Sequence, residues 1–373
     1  MTTTLLERLA QGVVAVTPES LVMLAVAAAL LYLGIARKHE PLLLVPIGAG
    51  CLLANLPLSP LIADEGLLRQ LYQMGVAHEL FPLLIFIGIG ALTDFGPLLE
   101  NPRMVLLGAA GQFGIFLTLL LALALGFSRE EAASIGIIGA IDGPTSIYVS
   151  GILAPHLLGP ITVAAYSYMA LVPIILPPIM RALTTPAERR IRMAYTKRPI
   201  SRRTRVLFPI VVTVVVGTLV PFATPLIGTL MLGNLMRESG VVERLTRASS
   251  EELANVVTLF LGLAIGGTMV GEAFLRPSTL AILGLGLLAF TLDAVAGLLF
   301  AKGLNLASGG RFNPLIGAAG LSAFPMAARV VNQVGQEEDF ENFLLMHAMG
   351  ANAAGQVASV VAGGVLLALM GAG

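Results

Sequence analysis

The feature that most constrains this chain is a series of apolar stretches separated by short polar connections. A helix that crosses hydrocarbon needs about 20 apolar residues, and stretches near that length recur along the whole sequence. The 373 residues are 56% hydrophobic and 12% charged, whereas soluble domains carry about 25% charged residues. The sequence therefore predicts an all-α polytopic membrane protein. We expect about ten transmembrane helices, at Ser20–Ala36, Pro41–Leu56, His78–Thr93, Met104–Gly126, Ile161–Ala182, Val206–Val220, Thr224–Met236, Leu253–Val270, Ser278–Phe300 and Phe343–Met370.

Between the fourth and fifth stretches lies segment 128–159, which is apolar but broken. It places Asp142, Gly143 and Pro144 side by side. Proline interrupts the hydrogen-bond ladder of a helix, and a membrane tolerates free backbone groups only around a buried or wet site. A carboxylate at such a break indicates a site for a small cation or a proton, with Thr145 as a neutral oxygen ligand. The alternative is a turn aspartate that caps a helix.

A second broken segment, 308–334, holds the matching place in the second half of the chain. Its Ile316–Pro325 repeats the glycine and proline spacing of Ile135–Pro144 at a constant distance of 181 residues. Asn313 and Ser322 offer neutral oxygens there, and no carboxylate accompanies them. We predict that both broken segments are re-entrant hairpins.

Each half holds five stretches and one hairpin, so we expect the second half to be inverted in the membrane. The repeats are 20–182 and 206–373, preceded by an interfacial segment, 1–19, and joined by the loop 183–205. Nine Lys or Arg residues fall within Arg181–Arg205, and the positive-inside rule places this loop in the cytoplasm. The hairpins then enter from opposite faces, which is the layout of an alternating-access carrier.

Three further side chains each have two interpretations. Arg329 follows the second break, where it either snorkels to the cytoplasmic boundary or binds an anion that enters from the cytoplasm. Tyr166 and Tyr168 open the stretch after the first hairpin. They either anchor that stretch at the membrane interface or donate a proton.

The remaining polar residues of the apolar stretches give weaker indications of function. Asn352 and Gln356 lie four apart and share one helix face, where helix–helix hydrogen bonding is their expected role. Asp293 lies where a carboxylate is costly, and the sequence offers it no partner. Cys51 is the only cysteine, and the zero net charge gives no indication of nucleic acid binding. From the residues alone, the chain is a Na⁺- or H⁺-coupled carrier with a two-hairpin core.

Five motifs of this sequence are long and specific. They are Gly136–Ile147, Ala164–Pro173, Gly233–Arg244, Asn313–Arg329 and Leu345–Asn352. Together they resemble the β subunit of the sodium-pumping, biotin-dependent decarboxylases, a family that includes oxaloacetate, methylmalonyl-CoA and glutaconyl-CoA decarboxylases. The resemblance covers nearly the whole chain from Pro41 onward.

The resemblance implies a membrane subunit that decarboxylates carboxybiotin, consumes a proton and exports Na⁺. Its cofactors would be Na⁺ and the biotin carried by a partner. The implied partners are a biotin carrier, a carboxyltransferase α subunit, a small γ-type membrane subunit and further copies of this chain, with no nucleic acid. The implied location is the inner (cytoplasmic) membrane of a bacterium.

The family's functional positions carry over to single residues of this chain. Asp142 would handle Na⁺ and the proton, Tyr168 would transfer a proton, and Arg329 would face carboxybiotin or its carboxylate. The matching positions also imply a second cation region, at Asn313, Gly317 and Ser322. Ile141 departs from the family pattern, because a small residue is expected before the aspartate.

Two other classes of protein compete with this interpretation. One is a plain secondary transporter, either a carboxylate/Na⁺ symporter or a Na⁺/H⁺ antiporter, which explains Asp142 and the repeat but not the five motifs. The other is a non-catalytic membrane anchor for soluble subunits, which leaves the polar residues of both hairpins without a purpose.

Overall fold

A computed structural model describes residues 11–38, 40–195 and 199–371. Over these residues the chain is helical and contains no strand. Most of the predicted interfacial segment and three residues of the basic loop lie outside the described residues. The chain divides into two compact units. The first consists of the described residues of 1–81 with Asn255–Ala281, and the second consists of those of Pro82–Ala254 and Ile282–Gly373.

We number the α-helices in chain order over the described residues. They are α1 Pro18–Ile35, α2 Pro41–Ala54, α3 Leu67–Leu71, α4 Leu80–Leu92, α5 Gly96–Glu100, α6 Val105–Ala110, α7 Phe113–Ala124, α8 Arg129–Gly136, α9 Gly143–Leu153, α10 Leu158–Leu183, α11 Pro186–Arg189, α12 Arg202–Leu219, α13 Thr224–Ser239, α14 Glu243–Ala248, α15 Ala254–Thr268, α16 Gly271–Phe274, α17 Pro277–Ala307, α18 Met326–Glu338 and α19 Leu345–Leu369.

Several helical segments in the described part of the chain are long and apolar enough to cross a membrane. There are six of them, or seven if one bent pair counts as a single span. The six are Pro18–Ile35, Pro102–Ala124, Pro155–Leu183, Glu243–Thr268, Pro277–Ala307 and Leu345–Leu369. The polytopic membrane protein is confirmed, whereas ten spans in two inverted repeats stay a prediction. Two predicted spans are not among these six: α2 has 14 residues, and α12 opens with Arg202, Arg203 and Arg205.

The first broken segment consists of α8, a 3₁₀ turn at Ile137–Ala140, and α9. At Ser128 a capping box starts α8, because the Ser128 hydroxyl accepts the Glu131 N–H and the Glu131 carboxylate accepts the Ser128 N–H. The break falls at Ile141, whose φ of 52° lies in the left-handed region. That conformation is unfavourable for a β-branched side chain, so the surrounding packing must hold it in place.

The second broken segment starts at Asn313, whose side-chain oxygen accepts the Leu315 N–H at 3.0 Å. A 3₁₀ helix at Pro314–Gly320 follows, and α18 begins after a short non-helical stretch. The two breaks touch each other. The Ser322 N–H donates to the Ala140 carbonyl at 3.2 Å, which joins one break to the other through the backbone.

Helix α19 packs against both breaks, and two of its glycines allow the close approach. A Cβ added to Gly355 would lie 2.7 Å from the Leu321 carbonyl oxygen. A Cβ added to Gly363 would lie 2.9 Å from Cγ2 of Thr145. Small residues at such crossings let helix backbones pack closely, and here they bring the polar residues of α19 to the breaks.

Ion pairs fasten the end of α10 and the basic loop after it to the end of α18, and we call them the loop clasp. The pairs are Arg181–Glu337 at 2.5 Å, Arg189–Glu338 at 2.5 Å and Arg192–Asp339 at 2.6 Å. Hydrogen bonding to Arg192 lowers the pKa of Asp339, and hydrogen bonding to Arg181 lowers the pKa of Glu337. Several cations that indicate a cytoplasmic loop are therefore also bound to carboxylates.

Candidate functional site

The carboxylate of Asp142 lies at the junction of the two breaks and is buried, with 3% of the residue exposed. It caps α9, because Oδ1 accepts the Thr145 N–H at 3.4 Å. The Thr145 hydroxyl donates to Oδ2 at 2.7 Å. The alternative interpretation, in which Asp142 caps a helix, therefore accounts for Oδ1. The other carboxylate oxygen, Oδ2, has further partners.

Those further partners come from α19. Nε2 of Gln356 donates to Oδ2 of Asp142 at 3.1 Å, and Oγ of Ser359 donates to the same atom at 3.0 Å. Both side chains are buried. Hydrogen bonds to a charged group stabilise more than neutral ones do, and these donors offset part of the cost of burying a carboxylate among apolar helices.

The second break contributes polar groups next to this carboxylate. Oγ of Ser322 donates to the Gly355 carbonyl at 2.9 Å. Nδ2 of Asn352 donates to the Leu321 carbonyl at 2.6 Å. Oδ1 of Asn352 is buried and has no hydrogen-bond partner within the described residues. Asn352 precedes Gln356 by one turn of α19, which places this unused oxygen on the helix face that also serves Asp142.

The donor set suits a hard monovalent cation. Carboxylate, hydroxyl and amide oxygens are ligands that such cations take, and here Asp142, Thr145 and Ser359 bring together a carboxylate and two hydroxyls. The unused Oδ1 of Asn352 is the kind of buried atom that a bound cation would satisfy. A proton on the carboxylate is the alternative occupant, because it removes the same charge.

Asn313 and Gly317 have other partners than the Asp142 cluster. Nδ2 of Asn313 donates to the carbonyls of Arg189 and Ile191, at 3.0 and 2.9 Å, so this side chain ties the second segment to the basic loop. A Cβ added to Gly317 would lie 2.6 Å from the Gly297 carbonyl carbon. Gly317 therefore permits a close backbone crossing with α17.

The two tyrosines of α10 point to different neighbours. The ring of Tyr166 lies where a Cβ on Gly143 would be, directly beside Asp142. Its hydroxyl is buried and has no hydrogen-bond partner in the described part of the chain. The hydroxyl of Tyr168 donates to the Leu283 carbonyl of α17 at 2.5 Å. Residues two apart on a helix do not face the same side, and the hydroxyls of these two tyrosines accordingly have different surroundings.

Arg329 lies on the first turn of α18 and is exposed, while its neighbours Ala328 and Val330 are buried. Within the described residues its guanidinium has no ion pair and no hydrogen bond. It stands apart from the Asp142 cluster and remains free to bind an anion.

Sequence reasoning missed two parts of this cluster. Ser359 was not considered, and Gln356 was expected only to join helices. A signal was present, since Asn352, Gln356 and Ser359 follow one another at spacings of four and three, which places them on one face of an apolar helix. What that face meets depends on packing over more than 200 residues of sequence.

Known proteins resemble this chain over nearly its whole length. A family model described as the Na⁺-transporting oxaloacetate decarboxylase beta subunit matches residues 19–370. Methylmalonyl-CoA decarboxylase subunit beta of Propionigenium modestum is 54% identical over 377 residues, which covers 94% of this chain and 95% of the relative. Oxaloacetate decarboxylase beta chain 2 of Salmonella typhimurium is 49% identical, covering 93% and 94%. Glutaconyl-CoA decarboxylase subunit beta of Acidaminococcus fermentans is 52% identical, covering 96% of each chain.

Proposed function

This chain belongs to the β-subunit family of the Na⁺-transporting, biotin-dependent decarboxylases, and we propose that its two touching breaks form the Na⁺ and proton site of such a pump. The protein is the membrane subunit of a decarboxylation-driven sodium pump. One observation carries the site assignment. The buried carboxylate of Asp142 receives side chains from its own segment and from α19, at the point where Ser322 of the second segment bonds to the first.

The reaction that the site serves is the loss of CO₂ from carboxybiotin on a carrier subunit. The bond between the ureido nitrogen and the carboxylate carbon breaks, its electron pair stays on the nitrogen, and the nitrogen takes a proton. Arg329 binds the incoming carboxylate from the cytoplasmic side through its free guanidinium. Tyr168 donates the proton, and burial among apolar helices keeps water from competing as the donor.

Coupling follows if Asp142 holds either Na⁺ or a proton but not both. Na⁺ that binds at Asp142 and Thr145 displaces a proton, and that proton becomes available to the decarboxylation. Such linkage is reciprocal, so proton uptake must in turn weaken the binding of Na⁺. Ser322, Asn313 and Gly317 form the second cation region, in the broken segment that enters from the cytoplasm.

The whole pump contains more than this chain. We propose that a biotin carrier presents the carboxyl group, that a carboxyltransferase α subunit loads it, and that a small γ-type membrane subunit and further copies of this chain complete the complex in the inner membrane of a bacterium. The acid or acyl-CoA that is consumed depends on the carboxyltransferase.

Replacing Asp142 by Asn tests the assignment, because asparagine keeps the shape and removes the exchangeable charge. In the purified complex we expect Asp142→Asn to abolish Na⁺-stimulated decarboxylation of carboxybiotin. Vesicles containing the variant should also take up no ²²Na⁺ when the acid or acyl-CoA substrate is added. The measurements are the rate of CO₂ release against Na⁺ concentration and the accumulated ²²Na⁺.

The control is Asp64→Asn, an equally conservative change on an exposed carboxylate that pairs with Arg69 at 3.6 Å. It should leave both measurements at the level of the unmodified complex. Avidin, which captures biotin, should stop Na⁺ uptake in the unmodified vesicles. Na⁺-dependent CO₂ release that survives Asp142→Asn would contradict the assignment of the site. Na⁺ uptake that continues in the presence of avidin would contradict the proposal that the complex is a biotin-dependent pump.

A further inference from the structure

Asp293 is a second fully buried carboxylate, in the middle of the long apolar helix α17. Oδ1 accepts the backbone N–H of Gly114, the second residue of α7. Oδ2 has no hydrogen-bond partner in the part of the chain that the structure describes. A Cβ added to Gly139 would lie 2.6 Å from this oxygen. The side chain thus fills the space between the start of α7 and the first broken segment, three residues before Asp142.

Gln112 has the corresponding place at the second broken segment. It lies at the interruption between α6 and α7, where Nε2 donates to the Gly108 carbonyl at 3.2 Å and to the Gly320 carbonyl at 3.3 Å. A Cβ added to Gly111 would lie 2.5 Å from the same Gly320 oxygen. Gly320 precedes Ser322 by two residues. A polar side chain again connects a neighbouring helix to a break.

These two contacts are equivalent in the sequence. Gln112 and Asp293 are 181 positions apart, and so are Gly139 and Gly320, which is the spacing that relates the two broken segments. Each half of the chain therefore extends a polar side chain to the break of the other half. We call the pairs Asp293–Gly139 and Gln112–Gly320 the cross-clamp.

We propose that Asp293 and Gln112 are positioning residues, which hold the two breaks against each other and thereby set the affinity of the site for Na⁺. The inference rests on the proposed function, since it assumes that Na⁺ binds at Asp142. The backbone at a break has few helical hydrogen bonds of its own, so its position must be fixed from outside. A cation site requires its oxygens to stay within about 0.5 Å of the binding geometry.

The two clamps act through different chemistry. The carboxyl group of Asp293 accepts a backbone N–H at the start of α7. The amide of Gln112 holds a carbonyl. Asparagine in place of Asp293 keeps an oxygen for the Gly114 N–H, whereas alanine removes it. The conservative and the truncating changes should therefore behave differently.

The test uses the purified decarboxylase complex and the concentration of Na⁺ that gives half-maximal CO₂ release. Gly139→Ala places a methyl group against Oδ2 of Asp293, and we expect the half-saturating Na⁺ concentration to rise about tenfold, with a smaller change in kcat. Asp293→Ala and Gln112→Ala should each raise the half-saturating Na⁺ concentration severalfold. For Asp293→Asn this concentration should stay within about twofold of the value for the unmodified complex.

The double variant Gly139→Ala/Asp293→Ala isolates the contact. The half-saturating Na⁺ concentration of the double variant should rise clearly less than the product of the two single effects. The reason is that the carboxyl group against which the new methyl group would pack is no longer present. Gly151→Ala is the matched control, since it lies in the same broken segment with no heavy atom within 4 Å of an added Cβ. It should leave Na⁺ dependence unchanged.

A second readout separates this inference from the proposed function. Na⁺ should raise the melting temperature of the unmodified complex. The Na⁺ concentration that gives half of this increase should shift in the variants by the same factor as the half-saturating concentration of CO₂ release. An unmodified complex that shows no response to Na⁺ in either measurement overturns the proposed function. The cross-clamp is overturned in either of two cases, provided that the unmodified complex responds to Na⁺. In the first, the half-saturating Na⁺ concentration of the double variant rises by the product of the two single effects. In the second, the single variants lower kcat and leave the half-saturating Na⁺ concentration unchanged.

Discussion

At the scale of single residues, the site is a carboxylate whose two oxygens serve different purposes. Oδ1 of Asp142 caps α9, and Oδ2 collects hydroxyl and amide groups from two helices. Ile141 takes a left-handed conformation immediately before it, and the carboxylate that follows bonds to α19. An unfavourable backbone conformation beside a functional group is common where the surrounding packing fixes it.

Ser359→Ala tests the contribution of α19 to ion binding. The change removes one oxygen from the cluster at Oδ2 of Asp142, and the loss of one such contact is worth about 1.4 kcal/mol, or tenfold in affinity. We expect the half-saturating Na⁺ concentration of CO₂ release to rise about tenfold. Ser150→Ala is the control, because its buried hydroxyl bonds only to carbonyls of α9. Equal responses from the two variants would remove Ser359 from the site.

The two tyrosines of α10 allow a matched comparison. Tyr168→Phe should lower the rate of CO₂ release at saturating Na⁺ by about 100-fold or more, since loss of a general acid costs at least that much. Tyr166→Phe should keep most of the rate, because it removes a hydroxyl without a hydrogen-bond partner in the described residues while the ring stays against Gly143. The opposite pattern would assign proton donation to Tyr166.

At the scale of elements, α19 and the loop clasp determine where the broken segments lie. Helix α19 bonds to the second break through Asn352 and to Asp142 through Gln356 and Ser359. The loop clasp holds the basic loop, and Asn313 links that loop to the start of the second segment. The basic loop and the Asp142 cluster are thus connected through one broken segment.

The stability of the loop clasp should decrease at low pH, because its carboxylates become protonated there. Because Arg192 lowers the pKa of Asp339 in the folded protein, the pair stabilises the clasp above the unfolded value of about 3.9. That stabilisation is lost as pH falls through the lower folded value. We expect pepsin to cleave loop 183–205 faster as pH falls below about 4, as measured by the fragments on a gel.

The same clasp can be opened at neutral pH by mutation. Arg192→Ala should make the loop more sensitive to trypsin at pH 7, although it removes one cleavage site. Arg203→Ala removes a cleavage site from the same loop, and within the described residues that arginine has no ion pair. It should leave the cleavage rate nearly unchanged, and a faster rate in both variants would contradict the clasp.

At the scale of the whole molecule, the spacing of 181 residues relates more than the two breaks. It also relates the cross-clamp residues, which are far from the motifs in which the repeat is easiest to see. Two halves of opposite orientation would place the same kind of contact at the same depth from both faces of the membrane. That arrangement suits a carrier whose ion site opens to one side at a time.

Cysteine labelling tests the inversion directly, since Cys51 is buried. Glu130 and Arg311 are exposed counterparts, 181 positions apart, at the entrances of the two broken segments. In right-side-out vesicles a membrane-impermeant maleimide should label the Glu130→Cys variant. It should label the Arg311→Cys variant only in inverted vesicles. Labelling of both from the same side would rule out two inverted repeats.

The sequence by itself determined the class of protein and the two broken helical segments, and it singled out Asp142 as the candidate acid. Hydropathy and charge are local properties, and Gly143 and Pro144 locally disfavour one continuous helix through this segment. The tertiary structure decided which groups meet Asp142. Gln356 and Ser359 come from more than 200 residues away, Asn313 turns to the basic loop, and the ring of Tyr166 lies against Gly143. Contacts between distant segments depend on how the helices pack, and a local pattern leaves that packing open.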